Sequence, residues 1–278
     1  MKKFFKALLS VTLAATLSLP FVSCKKEDAK TIKVGASSTP HAEILEQVKS
    51  DLKAEGWTLE IRIMDDYVTP NTALQEGALD ANYFQHLPYL NNFNTENNTT
   101  LASAAAIHYE PFGVYGKGVT QTDFDTNKTG RTILVPSDGS NCTRALFVLQ
   151  DEGYITLNDG VSASDSLSDQ DIADKKGNTI VLAEASTLPA LLNESGAGTI
   201  AVINGNYALA SGLKISDALA TESAEGDAAQ LYANIIAVKV GNENSAKTQA
   251  LVKALKTQKV IDYIANTYNG AVQAVFTV

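Results

Sequence analysis

The stretch from Asp65 to Leu90, DDYVTPNTALQEGALDANYFQHLPYL, is the chemically densest part of the sequence. It contains three tyrosines, one phenylalanine and one histidine among carboxylate and amide side chains, and turn signals stand at Pro70, Gly77 and Pro88. Aromatic faces beside a few fixed polar groups are typical of a small-ligand pocket. An ordinary helix–strand–helix segment whose rings pack inward would have the same composition. The residues of the stretch alone leave both interpretations open.

Strand and helix patterns alternate on both sides of this stretch. Before it, Ile32 to Ala36 predicts an apolar strand, and a helix begins at Thr39 and ends at Gly56. Leu59 to Ile63 then alternates as the next strand, and such a β-α-β unit implies two parallel strands. The pattern restarts after Gly130. The sequence therefore predicts an α/β fold with two lobes and a cleft between them.

Polar segments separate the predicted elements. We expect Asn91 to Thr100 to be a surface loop, Gly116 to Gly130 to be rich in turns, and Asn158 to Asp174 to be an acidic surface excursion of the second lobe. A further helix is predicted to be capped by Ser140 or Asn141.

The N-terminus predicts export and a lipid anchor. Three lysines precede the apolar run Ala7 to Val22, which is too short to span a bilayer well, as in a secretory signal. The run ends at Ser23-Cys24, which resembles a bacterial lipobox in which the cysteine is acylated, although Phe21 stands where leucine is usual. We therefore predict a lipoprotein signal in residues 1–23, lipidation of Cys24 and a tether in residues 24–30. A plain signal peptide, cut nearby and leaving a thiol, is the alternative.

The charge and the cysteine count exclude several classes of protein. Without residues 1–23 the chain has 19 basic and 31 acidic side chains, a net charge of −12. Such an acidic surface argues against nucleic-acid binding and against broad contact with anionic lipids. With Cys24 acylated, Cys142 is the other cysteine of the sequence, so no disulfide framework is expected.

Arg144 is the sharpest single candidate for ligand binding. We expect it in the first turn of the helix that begins near Asn141, where free N–H groups and the helix dipole favour an anion. A guanidinium at that position adds a bidentate grip for a carboxylate. The alternative is a surface arginine that pairs with Asp138 or Asp151.

Two amides stand at predicted strand ends, where parallel α/β lobes bind ligands. Asn204 follows one strand and Asn234 begins another. An amide accepts from an ammonium group and donates to a carboxylate, which suits the backbone of an amino acid. An Asx turn beside Gly205 is an equally simple explanation of Asn204.

Several short segments of the sequence resemble, in the same order, segments of the methionine-binding lipoprotein family, the NlpA-type solute-binding proteins of bacterial ABC importers. They are Asp66 to Leu90, Val34 to Ala36, Pro40 to Leu45, Ile107 to Pro111, Thr143 to Leu146, Ala201 to Ala208 and Tyr232 to Ile236. The resemblance runs from about Lys33 to the C-terminus. It departs from the family at Cys142-Thr143, where two small residues are common.

The resemblance implies a fold and a site. The fold would be the two-lobed type II periplasmic-binding-protein fold, with lobe 1 in residues 31–112 and 233–278 and lobe 2 in residues 113–232. Tyr67, Phe84 and His86 would wall a methionine pocket, and Arg144, Asn204 and Asn234 would hold its polar end. His86 has two alternatives, a core histidine and a helix N-cap.

The resemblance also implies a function. The protein would capture L-methionine, or a close analogue, and deliver it to the permease and ATPase subunits of an ABC transporter. It would be a monomer, held by its lipid to the periplasmic or extracellular face of a bacterial membrane, and would need no cofactor. A binder of D-methionine or of a dipeptide such as glycylmethionine is the alternative.

The residue types alone also allow two other classes of protein, a thiol enzyme and a metal-binding protein. Cys142, near a helix N-terminus and Arg144, could be a thiol of lowered pKa with His86 as its base, as in a thiol enzyme. His41, His86 and His108 are the histidines of the sequence and could bind a metal with help from carboxylates. No catalytic motif surrounds these residues, so we predict a protein that is not an enzyme and has no metal site.

Overall fold

The computed structural model describes residues 29–223 and 228–278, so the predicted signal peptide and Cys24 lie outside the described residues. The strands are β1 (Thr31–Ala36), β2 (Thr58–Ile63), β3 (Ala81–His86), β4 (Leu101–Tyr109), β5 (Gly113–Gly116), β6 (Thr132–Pro136), β7 (Thr156–Leu157), β8 (Ile172–Asp174), β9 (Thr179–Ala183), β10 (Ile200–Ile203), β11 (Ala220–Thr221), β12 (Asn234–Lys239) and β13 (Gln273–Ala274). The helices are α1 (Glu43–Ala54), α2 (Thr69–Gln75), α3 (Leu87–Asn97), α4 (Gln121–Thr126), α5 (Gly139–Asp151), α6 (Leu188–Glu194), α7 (Gly205–Ala210), α8 (Ala228–Leu231), α9 (Ala246–Leu255) and α10 (Gln258–Tyr268). No helix within these ranges is both long and apolar enough to cross a bilayer.

A six-stranded sheet forms the larger half of the molecule, in the order β13-β4-β12-β3-β1-β2. β1 is parallel to β2 and to β3, which confirms the predicted β-α-β unit. β12 returns late in the chain and lies antiparallel between β3 and β4. The helix α1 buries the apolar face Ile44, Leu45, Val48 and Leu52 against this sheet, and Gly56, at φ +82°, ends the helix in the left-handed region.

A five-stranded sheet forms the smaller half, in the order β11-β5-β10-β6-β9. Alternate residues of its central strands point to opposite faces, as the period of a strand requires. One face packs on α5 through Leu146 and Leu149, and the other packs on α6 through Leu188 and Leu192. We call the larger sheet with its helices lobe 1 and the smaller sheet with its helices lobe 2.

The chain crosses between the lobes twice within the described residues. The first connection joins β4 to β5 and contains Pro111, and the second joins β11 to β12 and contains Ala233. The residue limits given above for the lobes stay predictions.

Two segments differ from their predicted character because buried side chains extend the regular structure. Helix α3 continues to Asn97 through most of the predicted loop, since Phe93 is buried, and it ends at Asn98 in a left-handed conformation. The segment predicted to be rich in turns contains α4, whose Phe124 is buried under lobe 2.

The acidic segment Asn158 to Asp174 is more than a surface excursion. Leu167 is buried, and its backbone N–H donates to Thr143 Oγ1 at 2.7 Å. The Thr143 hydroxyl in turn donates to the carbonyl of Asp165 at 2.8 Å. The segment therefore packs on α5, where it covers part of the lobe 2 core.

The lobes meet through a reciprocal pair of hydrogen bonds, which we call the tyrosine latch (Asp65, Tyr67, Asn206 and Tyr207). The Tyr67 hydroxyl of lobe 1 donates to Asn206 Oδ1 of lobe 2 at 2.7 Å, and the Tyr207 hydroxyl of lobe 2 donates to the carbonyl of Asp65 at 3.0 Å. The two rings pack with centroids 4.9 Å apart. Both bonds must break when the lobes separate.

We expect Tyr207→Phe to increase the fraction of molecules with separated lobes. The substitution removes the bond to Asp65 and keeps the ring packing, and one such bond is worth about 0.5–1.5 kcal/mol, or about 2- to 12-fold in the opening equilibrium. Single-molecule energy transfer between dyes on the two lobes measures this fraction.

Tyr154→Phe is the matched control, because the Tyr154 hydroxyl donates to the carbonyl of Phe124 within lobe 2. It should lower thermal stability without changing the open fraction. Equal open fractions in Tyr207→Phe and the parent would show that the latch does not hold the lobes together.

Candidate ligand-binding cleft

A cavity of about 320 Å³ lies between the two lobes, including the solvent at its mouth. The six side chains predicted to bind a ligand all line it, together with seven other residues: Tyr67, Phe84, His86, Arg144, Asn204 and Asn234, with Gln85, Tyr89, Glu110, Phe112, Asn141, Gly205 and Asn206. The structure thus brings the six residues together, and their contact with a ligand stays a prediction.

Three aromatic rings, those of Tyr67, Phe84 and Tyr89, line a part of the cavity. The Tyr67 ring lies 5.7 Å from the Phe84 ring and 5.5 Å from the Tyr89 ring, measured between centroids. The Tyr89 hydroxyl donates to the carbonyl of Tyr67 at 3.0 Å and fixes the loop that carries this ring. Phe84 is fully buried because β3 runs through the middle of lobe 1. These rings give an apolar end whose shape is set by lobe 1.

His86 serves both as a helix cap and as a part of the cavity wall. Its Nδ1 accepts from the backbone N–H of Tyr89, which caps α3, and its Nε2 donates to Asn141 Oδ1 at 3.1 Å. Burial, with the nearby Arg144 charge, lowers the pKa of His86 to about 3. The imidazole is therefore neutral at ordinary pH and joins the two lobes through a neutral hydrogen bond.

Arg144 lies in the cavity wall, but not where the sequence predicted it. Helix α5 begins at Gly139 and is capped by Asp138, so Arg144 belongs to its second turn rather than the first. Its Nε and Nη2 bind the carboxylate of Glu222, and Nη2 also donates to the carbonyl of Glu110 at 2.6 Å. The guanidinium packs on the rings of Phe112 and Tyr232 at 4.0 and 4.5 Å.

This environment corrects the predicted partners of Arg144. The acid that pairs with it is Glu222, not Asp138 or Asp151, and the bidentate face is already used inside the protein. Among the described residues, Nη1 has no hydrogen-bond partner, so this nitrogen is the part of the guanidinium left for a ligand.

Asn204 presents an unused acceptor. Its Nδ2 donates to Asn141 Oδ1 at 3.0 Å, and its side chain makes no capping bond to α7, so the Asx-turn alternative is wrong. Its Oδ1 is buried without a hydrogen-bond partner among the described residues. A buried amide oxygen without a partner is costly, which indicates that a donor from a ligand or from water satisfies it.

Asn234 belongs to a buried polar network behind the cavity. Its Oδ1 accepts from His41 Nε2 at 3.0 Å, and His41 Nδ1 accepts from the Ser37 hydroxyl at 2.6 Å. His108 donates from Nε2 to Glu110 Oε1 at 2.7 Å and accepts at Nδ1 from the Tyr83 hydroxyl. Burial lowers the pKa of His41 to about 4 and that of His108 to about 3, so both rings are neutral.

The same network contains a group with metal-ligand atoms. In the described part of the chain, His41, His108 and Glu110 place such atoms within 4.8 Å of one another. Each imidazole nitrogen already takes part in a hydrogen bond to a neighbouring side chain. The group is therefore organised as a hydrogen-bond network.

Sequence reasoning did not assign ligand-binding roles to Tyr89, Glu110 and Asn141, which line the cavity, or find Glu222, the partner of Arg144. Tyr89 and Glu110 stand in the sequence segments that carry the family resemblance, which was an available signal. Asn141 was assigned a capping role, whereas its Oδ1 accepts from His86 and from Asn204. Glu222 lies in a segment of small and polar residues that shows neither helix nor strand periodicity, so nothing in the sequence pointed to it.

The Cys142 thiol lies in the core of lobe 2 rather than at the cleft, and it is 1% exposed. Burial, reinforced by the nearby Asp138, raises its pKa to about 12. The hypothesis of a thiol with a lowered pKa is wrong because the helix start at which it lies is packed with apolar side chains.

We expect Glu222→Ala to destabilise the protein by about 3–5 kcal/mol, because it leaves the buried Arg144 charge without its partner. Burial raises the pKa of the Glu222 carboxyl, but the charge and hydrogen bonds of Arg144 outweigh this effect and hold the pKa below its usual value. The stability from this pair is therefore present above pH 4.5 and is lost as the pH falls through the lowered pKa.

Urea unfolding at pH 7 and at acidic pH measures this contribution. Glu60→Ala is the control, because Glu60 pairs with Arg62 at a half-exposed site, where the pair is worth less than about 1 kcal/mol. Similar losses in the two variants at pH 7 would contradict the structural role of the buried pair.

The sequence model of the NlpA lipoprotein family matches residues 32–276. The methionine-binding lipoprotein MetQ of Bacillus subtilis (strain 168) is 38% identical over 275 residues, which cover 98% of each chain.

Solved structures agree with the fold. A lipoprotein from Ruminococcus gnavus ATCC 29149 is 49% identical, with a TM-score of 0.83 over 89% of this chain and 100% of the other. A nutrient-binding protein from Burkholderia cenocepacia, bound to methionine, is 35% identical, with a TM-score of 0.81 over 88% of this chain and 100% of the other. Together with the two sheets, these similarities confirm the predicted two-lobed type II periplasmic-binding fold.

Membership of this family also bears on whether the protein is an enzyme or a binding protein. Its members are binding lipoproteins, which confirms the prediction that the protein is not an enzyme. The chain belongs to the NlpA lipoprotein family.

Proposed function

We propose that the protein captures methionine in the cleft between its lobes and delivers it to an ABC importer. The observation that carries this proposal is the division of the cavity lining into aromatic rings, among them Tyr67, Phe84 and Tyr89, and polar side chains, among them Arg144, Asn204 and Asn234. Methionine has the same division, with an apolar thioether at one end and a zwitterion at the other. The methionine-binding relative and the methionine-bound neighbour support this choice of ligand.

The aromatic end suits the methionine side chain. A thioether gains from contacts with ring edges, and burial of such a side chain is worth about 1.5–3 kcal/mol. Tyr67, Phe84 and Tyr89 offer three rings whose positions are held by one another and by the Tyr89 hydroxyl bond. We infer that these rings take the side chain of the ligand.

The polar end suits the ligand carboxylate through Arg144. Nη1 is the guanidinium nitrogen without a partner among the described residues, and Phe112 and Tyr232 hold the guanidinium plane from its faces. Because Glu222 already fixes the rest of the group, the ligand meets an arginine that needs no reorganisation. We infer that the carboxylate accepts from Nη1.

L-methionine is the proposed ligand, and D-methionine or glycylmethionine is the alternative. A stereoisomer or dipeptide changes contacts worth about 1–3 kcal/mol in such a pocket. The tyrosine latch joins the lobes beside the cavity, which favours a single amino acid over a dipeptide. Delivery to the permease and ATPase subunits would follow separation of the lobes about the two connections, and the protein would act as a monomer.

We expect the ligand carboxylate to depend on Arg144. Arg144→Lys keeps a positive charge beside Glu222 but loses Nη1, so methionine should bind at least about tenfold more weakly, which is about 1.4 kcal/mol. Arg144→Ala should cost about 2–5 kcal/mol of binding free energy. Isothermal titration with dialysed protein measures both values.

Methionine amide provides the control, because it keeps the side chain and ammonium group but lacks the carboxylate. It should bind the parent poorly and lose much less affinity than methionine in both variants. If Arg144→Lys weakens methionine and its amide equally, the arginine has a structural role only. If the parent binds neither methionine isomer nor a methionine dipeptide, the proposed function is wrong.

The proposed anchor is the lipid on Cys24, which would hold the protein to the cell envelope on the outer side of the membrane. Cys24→Ala should release the protein into the soluble fraction, because the Lys25 to Lys30 segment is too polar to hold it. Fractionation after metabolic labelling with a fatty acid measures this. Persistence of the lipid label in Cys24→Ala would contradict the assignment.

A further inference from the structure

Glu110 is a buried acid in the cavity wall with one unused oxygen. The side chain is 5% exposed, and its Oε1 accepts from His108 Nε2 at 2.7 Å. Its Oε2 has no hydrogen-bond partner among the described residues.

Gly205 has no side chain, and Glu110 Oε2 lies in the space that a side chain there would take. A Cβ atom at this glycine would come within 2.7 Å of both Oε2 and Cβ of Glu110, so a side chain there would displace the acid. The preceding residue, Asn204, carries the buried amide oxygen without a partner. Two oxygen acceptors without donors therefore lie at neighbouring positions of one cavity wall.

Two such acceptors suit a cationic N–H donor. Arg144 cannot be that donor for both, since its Nε and Nη2 bind Glu222 and the carbonyl of Glu110. The histidines beside Glu110 already direct their N–H groups to Oε1 and to Asn234. An ammonium group of the ligand can donate to Glu110 and Asn204 at once.

We propose that Glu110 Oε2 and Asn204 Oδ1 form the subsite for the ammonium group of the ligand, and that binding releases the proton carried by Glu110 to solvent. This inference rests on the proposed function, in which the ligand is an amino acid. The Glu110 O–H bond breaks, the proton leaves to the buffer, and the ammonium donates an N–H to the carboxylate. The ligand enters as a zwitterion and stays one.

The surroundings of Glu110 make it the group that titrates near neutral pH. The groups around it are neutral His41 on the turn before α1, neutral His108 on β4, the Tyr83 hydroxyl on β3 and the Arg144–Glu222 pair, whose charges cancel. Burial raises the pKa of Glu110 to about 7, and the nearby charge of Arg144 offsets only part of this effect.

Affinity should therefore depend on pH in a defined direction. Below pH 7 the free protein carries the proton, which must leave on binding, so affinity falls by up to about tenfold for each pH unit. Above pH 7 the carboxylate is already charged, and affinity should be constant until the ligand ammonium itself loses its proton.

Titration calorimetry with L-methionine at pH 6, in buffers of different ionisation enthalpy, counts the released protons. We expect about 0.9 proton per ligand for the parent, given a carboxyl pKa of about 7. At pH 8.5 the number should be near zero. Asp138 is also buried near the cleft, and its pKa is raised by burial, so a variant must separate the two acids.

Glu110→Gln makes this separation, because its amide oxygen can still accept from His108. The variant should release no proton at pH 6, should bind L-methionine at least about tenfold more weakly at pH 8, and should lose its pH dependence between pH 6 and 8. The desamino analogue 4-(methylthio)butanoate should bind the parent and the variant with affinities within about threefold of each other.

The outcomes distinguish the two proposals. If the parent binds methionine at pH 6 without releasing a proton, or if Glu110→Gln releases as many protons as the parent, the Glu110 subsite is wrong and the proposed function stands. The parent measurement suffices for the first of these results even if the variant does not fold. If the parent binds no methionine at either pH, both proposals are wrong.

Discussion

A single buried guanidinium holds together the parts of the chain that form the cleft. Arg144 extends from α5 of lobe 2 to the carbonyl of Glu110 in the first connection and to the carboxylate of Glu222 near the second. The Glu222 carboxylate also accepts from the Tyr109 hydroxyl and from the backbone N–H of Phe112. Since both connections meet at one charged pair, the connections between the lobes and the cavity wall at Arg144 are built from the same contacts.

This arrangement limits the net charge of the cleft in which the zwitterionic ligand is proposed to bind. The Arg144 charge is cancelled by Glu222, and the three buried histidines are neutral because burial lowers their pKa values. Burial of an isolated charge would be costly, whereas paired charges and neutral donors are tolerated. What remains is a local polarity, with a donor at Arg144 and acceptors at Glu110 and Asn204.

Many of the strands and helices were predictable from hydrophobic periodicity and turn residues, whereas the type II fold was implied by the family resemblance. The apolar face of α1 and the alternation in β2 predicted the first β-α-β unit, which the register confirms. The end of α3 was not predictable, because it depends on burial of Phe93 by distant parts of the chain. The short strand β11 and the packing of the acidic segment on α5 likewise depend on tertiary contacts.

The sequence predicted many residues of the cleft, but it did not predict the hydrogen bonds and ion pairs between them. The family resemblance predicted that Tyr67, Phe84 and the other four candidates would lie around one pocket, and all six line the cavity. It did not predict which acid would pair with Arg144. Glu222 is 78 residues away in the sequence and lies in a segment without a pattern, so its contact with Arg144 comes from the fold alone. The same holds for the Asn204 oxygen, whose lack of a partner is visible only once its neighbours are known.

A crystal structure of the protein with L-methionine, grown near pH 8, tests the central claim most directly. The account predicts the ligand carboxylate at Arg144 Nη1, the ammonium group within hydrogen-bond distance of Asn204 Oδ1 and Glu110 Oε2, and the sulfur among the rings of Tyr67, Phe84 and Tyr89. A ligand bound in the reverse direction, with its sulfur at Arg144, would contradict it. Electron density for methionine outside this cavity would contradict it as well.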